Sequence, residues 1–358
     1  MKANIQKVIT DINKQYGENT VVIASKALGL IYHRYSTGSF GIDMGTGGGF
    51  CSGRIHLIIG KESCGKTALC CLNIAEIQKG DLEAVCAYVD GEQTFDAKKA
   101  QDLGVDLDRL LLVNPDSLEQ AGDVVQELLE SKILRNLTID SWASLFPTAE
   151  YQDDMDNNQM GKNALGKNKM MRKIIGAMKK DLMSPDPSCI LVITNHITMK
   201  IGMTFGNPET DSGGMAKNYF TSIKIKLTRT GYLKKTINGI LRVVGIPVKW
   251  NVEKNKTSVP KKEGDYDYYF ATTKDHGMGI DAGKELFDYA KKHKIITKNY
   301  DRRVFDRKYL ANSVQTKLLK TRIKGEELGI EANKIGAKKS SLKKGTKPQK
   351  REKALKKA

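Results

Sequence analysis

Short apolar runs alternate with amphipathic stretches through most of the chain, and their spacing assigns the elements. Near the start, Ile5, Val8, Ile9 and Ile12 recur at helical intervals, predicting a helix over 3–16 that ends at Gly17. The β-branched run VVIAS behind it reads as a short strand. A helix and strand this small cannot bury their own apolar face, so they need a partner surface, either their own core or a neighbouring subunit. Further on, IHLIIG (55–60), VCAYVD (85–90), LTID (137–140) and CILVIT (189–194) are apolar enough to be buried on both faces. Helical stretches at 66–78, about 95–103 and 164–182 separate them. Strands of this kind alternating with helices predict an α/β fold with a mostly parallel, doubly wound sheet. From about 219 to 271 the period shortens to two (TSIKIKLT, ILRVVGIPVKW, YDYYFATT), which predicts antiparallel hairpins extending the sheet. Residues 283–326 read as a small helical lobe rich in Lys and Arg, and no internal repeat is evident.

With 358 residues the chain has room for one large domain or two ordinary ones. No apolar run approaches the roughly 18 residues of a membrane span, and residues 1–20 are too polar for a secretory signal. The expectation is a soluble protein acting in the cytoplasm. Cys51, Cys64, Cys70, Cys71, Cys86 and Cys189 form no CxxC pair, which suits neither zinc nor a disulfide framework and leaves mostly core thiols.

The formal charge of +18 changes the picture, because such an excess favours a polyanionic partner. From Lys334 to Ala358 eleven Lys or Arg face one acid, Glu352, so more than half of that charge lies in the tail. So polar a segment cannot offset its ordering entropy and is expected to be a disordered electrostatic arm.

One motif carries chemistry outright. Gly60-Lys61-Glu62-Ser63-Cys64-Gly65-Lys66-Thr67 fits GxxxxGK[ST] and lies between a predicted strand and helix. Backbone N–H groups of such a loop curl around phosphate oxygens, Lys66 supplies charge to the β and γ phosphates, and the Thr67 hydroxyl can ligate Mg²⁺. Hydrolysis also needs a carboxylate near the metal and a base for water. Asp140, ending LTID with Ser141 beside it, is the candidate for the first; Glu92, two residues past VCAYVD, is the candidate for the second.

With these residues in place, the chain from about 5 to 280 resembles the RecA family of recombinases. STGSFGID (36–43) with GRIHLIIGKESCGKT (53–67) is similar to the family's approach to its ATP loop, and YVDGEQTFD with LGVD (88–96, 103–106) to its catalytic-glutamate segment. MKIGMTFGNPETDSGG (199–214) is the most telling string. The resemblance implies a RecA-type ATPase core at 34–274, a small N-terminal helix-strand unit at 1–33 that docks on a neighbour, a C-terminal lobe at 275–333 and the tail at 334–358. It implies helical filaments on single-stranded DNA, ATP with Mg²⁺, and strand exchange with homologous duplex DNA, with single-strand-binding and loader proteins as further partners and no membrane.

It also implies roles. Glu92 activates water, Asp96 contacts adenine, Asp140 serves the magnesium, His196 senses the γ-phosphate, and Lys254 and Lys256 reach the ATP of a neighbouring subunit. Two loops hold DNA. The first, near 153–162, presents Met160, Gly161 and Lys162, with basic positions through Arg172. The second carries Met199, Lys200, Ile201, Gly202, Phe205, Asn207, Ser212, Gly213 and Gly214, with Ile201 as an apolar wedge between bases.

The departures are specific. Lys99 stands where an aromatic ring usually stacks on adenine, His196 where cellular relatives carry Gln, and Leu165 where an Arg of the first DNA loop is usual, with Lys162, Lys167 and Lys169 as substitutes. The tail is basic where the family's is acidic. The histidine is similar to phage-encoded recombinases. A hexameric helicase on the same core would complete its site with an Arg finger, and the Lys254/Lys256 pair with FGNPET speaks against it. A mediator that has lost hydrolysis is opposed by the retention of Lys66, Thr67, Glu92 and Asp140.

Overall fold

The structure, a computed structural model, describes residues 2–27, 32–152, 160–178, 188–199, 209–211, 216–260, 262–272, 276–310 and 313–327. The strands are β1 (Arg34–Tyr35), β2 (Phe50–Cys51), β3 (Ile55–Gly60), β4 (Val85–Asp90), β5 (Leu110–Val113), β6 (Leu134–Asp140), β7 (Ile190–Met199), β8 (Glu209–Asp211), β9 (Thr221–Arg229), β10 (Leu233–Ile237), β11 (Ile240–Asn255), β12 (Glu263–Tyr269) and β13 (Gly279–Ile280). The helices are α1 (Lys2–Tyr16), α2 (Phe40–Thr46), α3 (Lys66–Gly80), α4 (Ala97–Asp102), α5 (Leu118–Glu130), α6 (Thr148–Gln152), α7 (Met160–Ala177), α8 (Ala216–Phe220), α9 (Ala282–Lys292), α10 (Arg302–Phe305) and α11 (Ser313–Glu327). The chain divides into two compact units after Glu285. The basic tail from Lys334 lies outside the described residues.

The sheet of the first unit runs in the order β13-β12-β11-β9-β3-β7-β6-β4-β5. From β5 to β9 all pairs are parallel; from β9 outward all are antiparallel, and β10 folds back on β11. The segment TSIKIKLT, expected in an antiparallel hairpin, is therefore the seam: β9 pairs parallel with β3 and antiparallel with β11.

Alternation along the parallel strands feeds two cores. Ile58, Val192 and Ile225 pack with Leu69, Ile74 and Ile77 of α3 on one face. Leu57, Ile139 and Ile193 pack with Val125 of α5 and Met171 and Ile174 of α7 on the other. Each such side chain, fully buried, contributes about 1.5–3 kcal/mol, and two covered faces are why these strands read as continuous apolar runs. In the second unit the Phe287 and Phe305 rings meet edge to face at 5.0 Å, with Leu319 and Ile323 also buried.

The expected N-terminal helix forms, and its Ile5 and Val8 are 49% and 56% exposed. The strand expected at VVIAS does not. Asn13 replaces a ladder partner, its Nδ2 donating to Val21 O at 3.0 Å and its Oδ1 accepting from Val21 N at 2.8 Å. The chain then makes a 3₁₀ turn at Ala24–Lys26. All six cysteines are free, five of them buried; burial pushes the Cys71 and Cys86 thiols up to about 12.

Glu285 fastens the start of α2. Its buried carboxylate accepts from Ser39 Oγ at 2.6 Å, Phe40 N at 3.0 Å and Gly41 N at 3.2 Å, satisfying N–H groups that a helix start leaves orphaned. Burial outweighs these donors and raises the carboxyl from 4.5 to about 7. An acid whose folded pKa is raised lends stability that is full below its unfolded pKa and is lost as pH climbs through the folded one. Denaturant unfolding between pH 4.5 and 7 should show stability falling with pH by up to about 3 kcal/mol from this group. The Glu285→Gln protein should lack that part of the slope; an unchanged slope would place the titration elsewhere.

Candidate functional site

The carboxyl ends of β3, β4, β6 and β7 lie side by side, because the parallel register sets Gly60 opposite His196 and Asp90 opposite Asp140. In an open α/β sheet this rim, where the strand order reverses, is where ligands bind. β3 delivers the chain to the loop 61–65, and α3 begins at Lys66. Gly60 has no room for a side chain, since a Cβ would stand 2.4 Å from Cys64 Sγ and 2.6 Å from Leu227 O. Gly65 turns the chain at φ 93°, a conformation glycine adopts without strain. The α3 N-terminus, with its unpaired N–H groups and positive dipole end, thus faces the loop. The buried Lys66 ammonium donates to Gly60 O at 3.2 Å and Lys61 O at 3.1 Å, poised at the loop's centre.

Asp140 gathers hydroxyls from three elements. Oδ2 accepts from Thr67 Oγ1 and from Tyr88 Oη, each at 2.6 Å, and Oδ1 accepts from Thr194 Oγ1. Burial and the adjacent carboxylate push the Tyr88 hydroxyl far above its usual range, so it stays a donor. Asp90 shapes the turn beyond β4, accepting from Thr94 N at 3.2 Å and Phe95 N at 2.8 Å. That turn sets Glu92 Oε1 2.8 Å from His196 Nε2. Partial burial raises the Glu92 carboxyl, but hydrogen bonds from Ser141 and His196 and the charges of His196 and Lys66 more than offset it, leaving it below the ordinary range. Glu92 is therefore ionised at neutral pH, as a base must be.

These groups share a cleft of about 470 Å³ that runs from the phosphate loop (Glu62 to Thr67), past Lys99 and Arg229, to Ile246, Tyr268 and Phe270. A lining that combines cations and loop backbone donors with the apolar and aromatic side chains of Ile246, Tyr268 and Phe270 fits a nucleoside triphosphate. Among the described residues no group of three or more His, Cys, Asp or Glu could hold a metal. Magnesium takes one or two protein oxygens and completes its shell with phosphate and water; Thr67 Oγ1 and Asp140 Oδ2, 2.6 Å apart, are oxygens that could serve it.

The structure brings together Glu62, Ser63, Cys64, Gly65, Lys66, Thr67, Glu92, Asp140 and His196, and Lys99 also lines the cleft. Ser141 is buried behind it, its Oγ 2.8 Å from Ser144 Oγ. Asp96 does not line the cleft; it caps α4, accepting from Lys99 N at 3.0 Å. Lys254 and Lys256 do not line it either. The Lys254 ammonium rests on Asn218 O, and Lys256 on Tyr219 O at 2.9 Å, both at the end of α8. Burial, then repulsion from Lys256 and Lys224, lowers the Lys254 pKa.

Met160, Gly161 and Lys162 form the first turn of α7, and Arg172 is exposed further along it. Met199 ends β7. Lys200, Ile201, Gly202, Phe205, Asn207, Ser212, Gly213 and Gly214 lie outside the described residues, and β8 pairs antiparallel with Ile197–Met199. Lys167 is not free for DNA: it is buried, donates to Ala143 O at 3.1 Å, and is lowered to about 8 by burial and by Lys217. Tyr88, Thr194 and Arg229 were not anticipated; they reach the site through strand register, which linear spacing does not display.

A model of the RecA N-terminal domain matches residues 3–275. Proteins named Protein RecA from two strains of Cereibacter sphaeroides are 35% identical over 297 residues, covering 82% of this chain and 81% and 78% of theirs. A Protein RecA from Delftia acidovorans is likewise 35% identical over 297 residues, covering 82% of this chain and 76% of its own.

Tyr88 offers a test of the carboxylate's support. Tyr88→Phe removes one donor to Asp140, and losing such an outer partner should raise the magnesium concentration needed for half-maximal hydrolysis about 10–100-fold. Metal-free nucleotide binding, followed by a fluorescent analogue, should be unchanged; an unaltered magnesium requirement would show that Tyr88 only packs.

Proposed function

The chain belongs to the RecA family, and from that premise we propose that it is a DNA-dependent ATPase that forms helical filaments on single-stranded DNA and catalyses homologous pairing and strand exchange. The observation that carries this is the joining of Lys66, Thr67, Asp140 and the Glu92–His196 pair in one cleft. His196 and Met199 share β7, so the strand that touches the base runs directly into the second DNA segment.

The chain's residues divide the work. Backbone N–H groups of 61–66 and the Lys66 ammonium hold the triphosphate. Thr67 and Asp140 hold Mg²⁺, which neutralises phosphate charge when bound. Glu92 takes the proton of the attacking water, and His196 exchanges its bond to Glu92 for one to the γ-phosphate, reporting the nucleotide to β7. Lys254 and Lys256 belong to a neighbour's site: lifted from the α8 carbonyls, they meet the ATP of the next subunit, and the exposed α1 face supplies the docking surface. Such head-to-tail contacts do not close and so produce a filament. Met160, Ile201 and the cations around them grip DNA through backbone charge and apolar wedges rather than base edges. The protein acts on DNA in the cytoplasm; among the described residues no helix is long and apolar enough to cross a membrane. His196 fits a phage-encoded member.

Strand exchange between circular single-stranded DNA and homologous linear duplex tests the whole reading: joint molecules should appear only with ATP, magnesium and homology. Glu92→Gln should bind ATP and assemble normally while hydrolysis falls about 10²-fold or more, the range for losing a positioned base; hydrolysis within about twofold of the parent would move the base elsewhere. Lys254→Ala with Lys256→Ala should be inactive alone yet regain hydrolysis when mixed with Lys66→Ala, whose intact lysines complete the neighbour's site. Ordinary DNA-stimulated hydrolysis by the double variant alone would sink the shared site.

A further inference from the structure

The nucleotide cleft has a side chamber. A second cavity of about 210 Å³ opens against the same phosphate loop, and the two share Glu62, Cys64 and Arg229 as walls. The strand order locates it. The cleft spans the rim from Tyr268 on β12 to Glu92 beyond β4, whereas the chamber sits over the ends of β9, β3 and β7, where Gly60 lies between His196 and Leu227. Ile197, next to the γ-phosphate-facing His196, is part of its lining.

Among the described residues the cations Lys61, Lys226 and Arg229 line this chamber, with the carboxylate of Glu62 beside them. Arg229 is steered by an aromatic ring, its guanidinium lying 4.9 Å from the centre of the Tyr232 ring. Its charge is felt at Cys64 in the phosphate loop, where it lowers a thiol that burial raises. Lys61 joins the two spaces, since its carbonyl accepts from Lys66 Nζ at 3.1 Å while the residue lines the chamber. A small cavity lined by Lys and Arg beside the phosphate loop suits an oxyanion, because charge-assisted hydrogen bonds from Lys and Arg are the strong ones for phosphate.

Hydrolysis at Glu92 leaves ADP spanning the cleft and one phosphate at its inner end. That phosphate needs a path that does not cross ADP. We propose that the side chamber is a phosphate site, receiving the inorganic phosphate cut from ATP and holding it on Lys61, Lys226 and Arg229 before it escapes to solvent. This rests on the ATP-hydrolysis reading above and adds a second ligand position to it. Lys61 and Lys226 line the chamber but not the cleft, so they separate the two positions.

The test uses the full chain on single-stranded DNA, with Lys226→Ala and Lys61→Ala made separately, Lys61 being an exposed loop residue whose loss spares the core. Inhibition of steady-state ATP hydrolysis by added inorganic phosphate is compared with inhibition by ADP. Each substitution should weaken phosphate inhibition about tenfold, the scale of one charge-assisted bond; Lys226→Ala should leave ADP inhibition unchanged, and Lys61→Ala, at a loop position, should weaken ADP inhibition far less than phosphate inhibition. Phosphate inhibition equal to the parent's in both variants overturns the proposal. So does an equal change in phosphate and ADP inhibition, which would place the lysines at the cleft. A third contrary outcome is unchanged phosphate inhibition with a salt dependence of DNA binding shallower by about 0.7 per lysine, meaning that the chamber takes a backbone phosphate of DNA. A parent protein that hydrolyses no ATP on DNA would instead refute the underlying reading.

Discussion

Asp140 is tied to three hydroxyls from separate parts of the fold, Thr67 at the start of α3, Tyr88 within β4 and Thr194 within β7, and the working geometry of the cleft hangs on that carboxylate. Through Thr67 it sets the first turn of the phosphate-loop helix; through Tyr88 and Thr194 it locks the neighbouring strands at the level where Glu92 and His196 emerge. A buried carboxylate is costly unless its oxygens are satisfied, and three donors satisfy this one without neutralising it. Its charge therefore stays available to a hydrated cation.

In the proposed function the same rim links nucleotide chemistry to DNA. β7 carries His196, and its end at Ile197–Met199 pairs with β8. α8, which follows β8, offers its last carbonyls to Lys254 and Lys256. On the other side, buried Lys167 ties α7, whose first turn holds Met160, to Ala143, three residues past Asp140. The helices next to the two proposed DNA segments thus each make a short polar tether, α8 to Lys254 and Lys256 and α7 to Ala143. Coupling between sites requires contacts that differ between states, and these tethers can be exchanged for phosphate or for a neighbour's groups.

Much of this was legible in the sequence because the decisive signals are local. The phosphate loop is contiguous, and Asp140 and Glu92 sit at fixed offsets from apolar strands that two-sided burial makes conspicuous. Family resemblance added His196 and the lysine pair. What stayed hidden depends on register or on competition for backbone groups. Arg229 reaches the cleft because β9 runs beside β3, and Tyr88 meets Asp140 across a strand pair. VVIAS has strand composition, but Asn13 takes the backbone groups of Val21. Lys167 reads as a DNA-facing cation, yet it shares the helical stripe of Met170, Met171 and Ile174, all buried; the periodicity was there to be weighed against the charge.

The central claim is that one chain holds ATP while its neighbour completes the site, so that nucleotide binding and filament growth on DNA are a single event. Electron microscopy of the full chain on single-stranded DNA, with magnesium and a slowly hydrolysed ATP analogue, tests this most directly. The account predicts continuous helical filaments that form with the analogue and are lost when Lys66 is replaced by Ala. Closed rings threaded on the DNA, or filaments that form equally well without nucleotide, would contradict it.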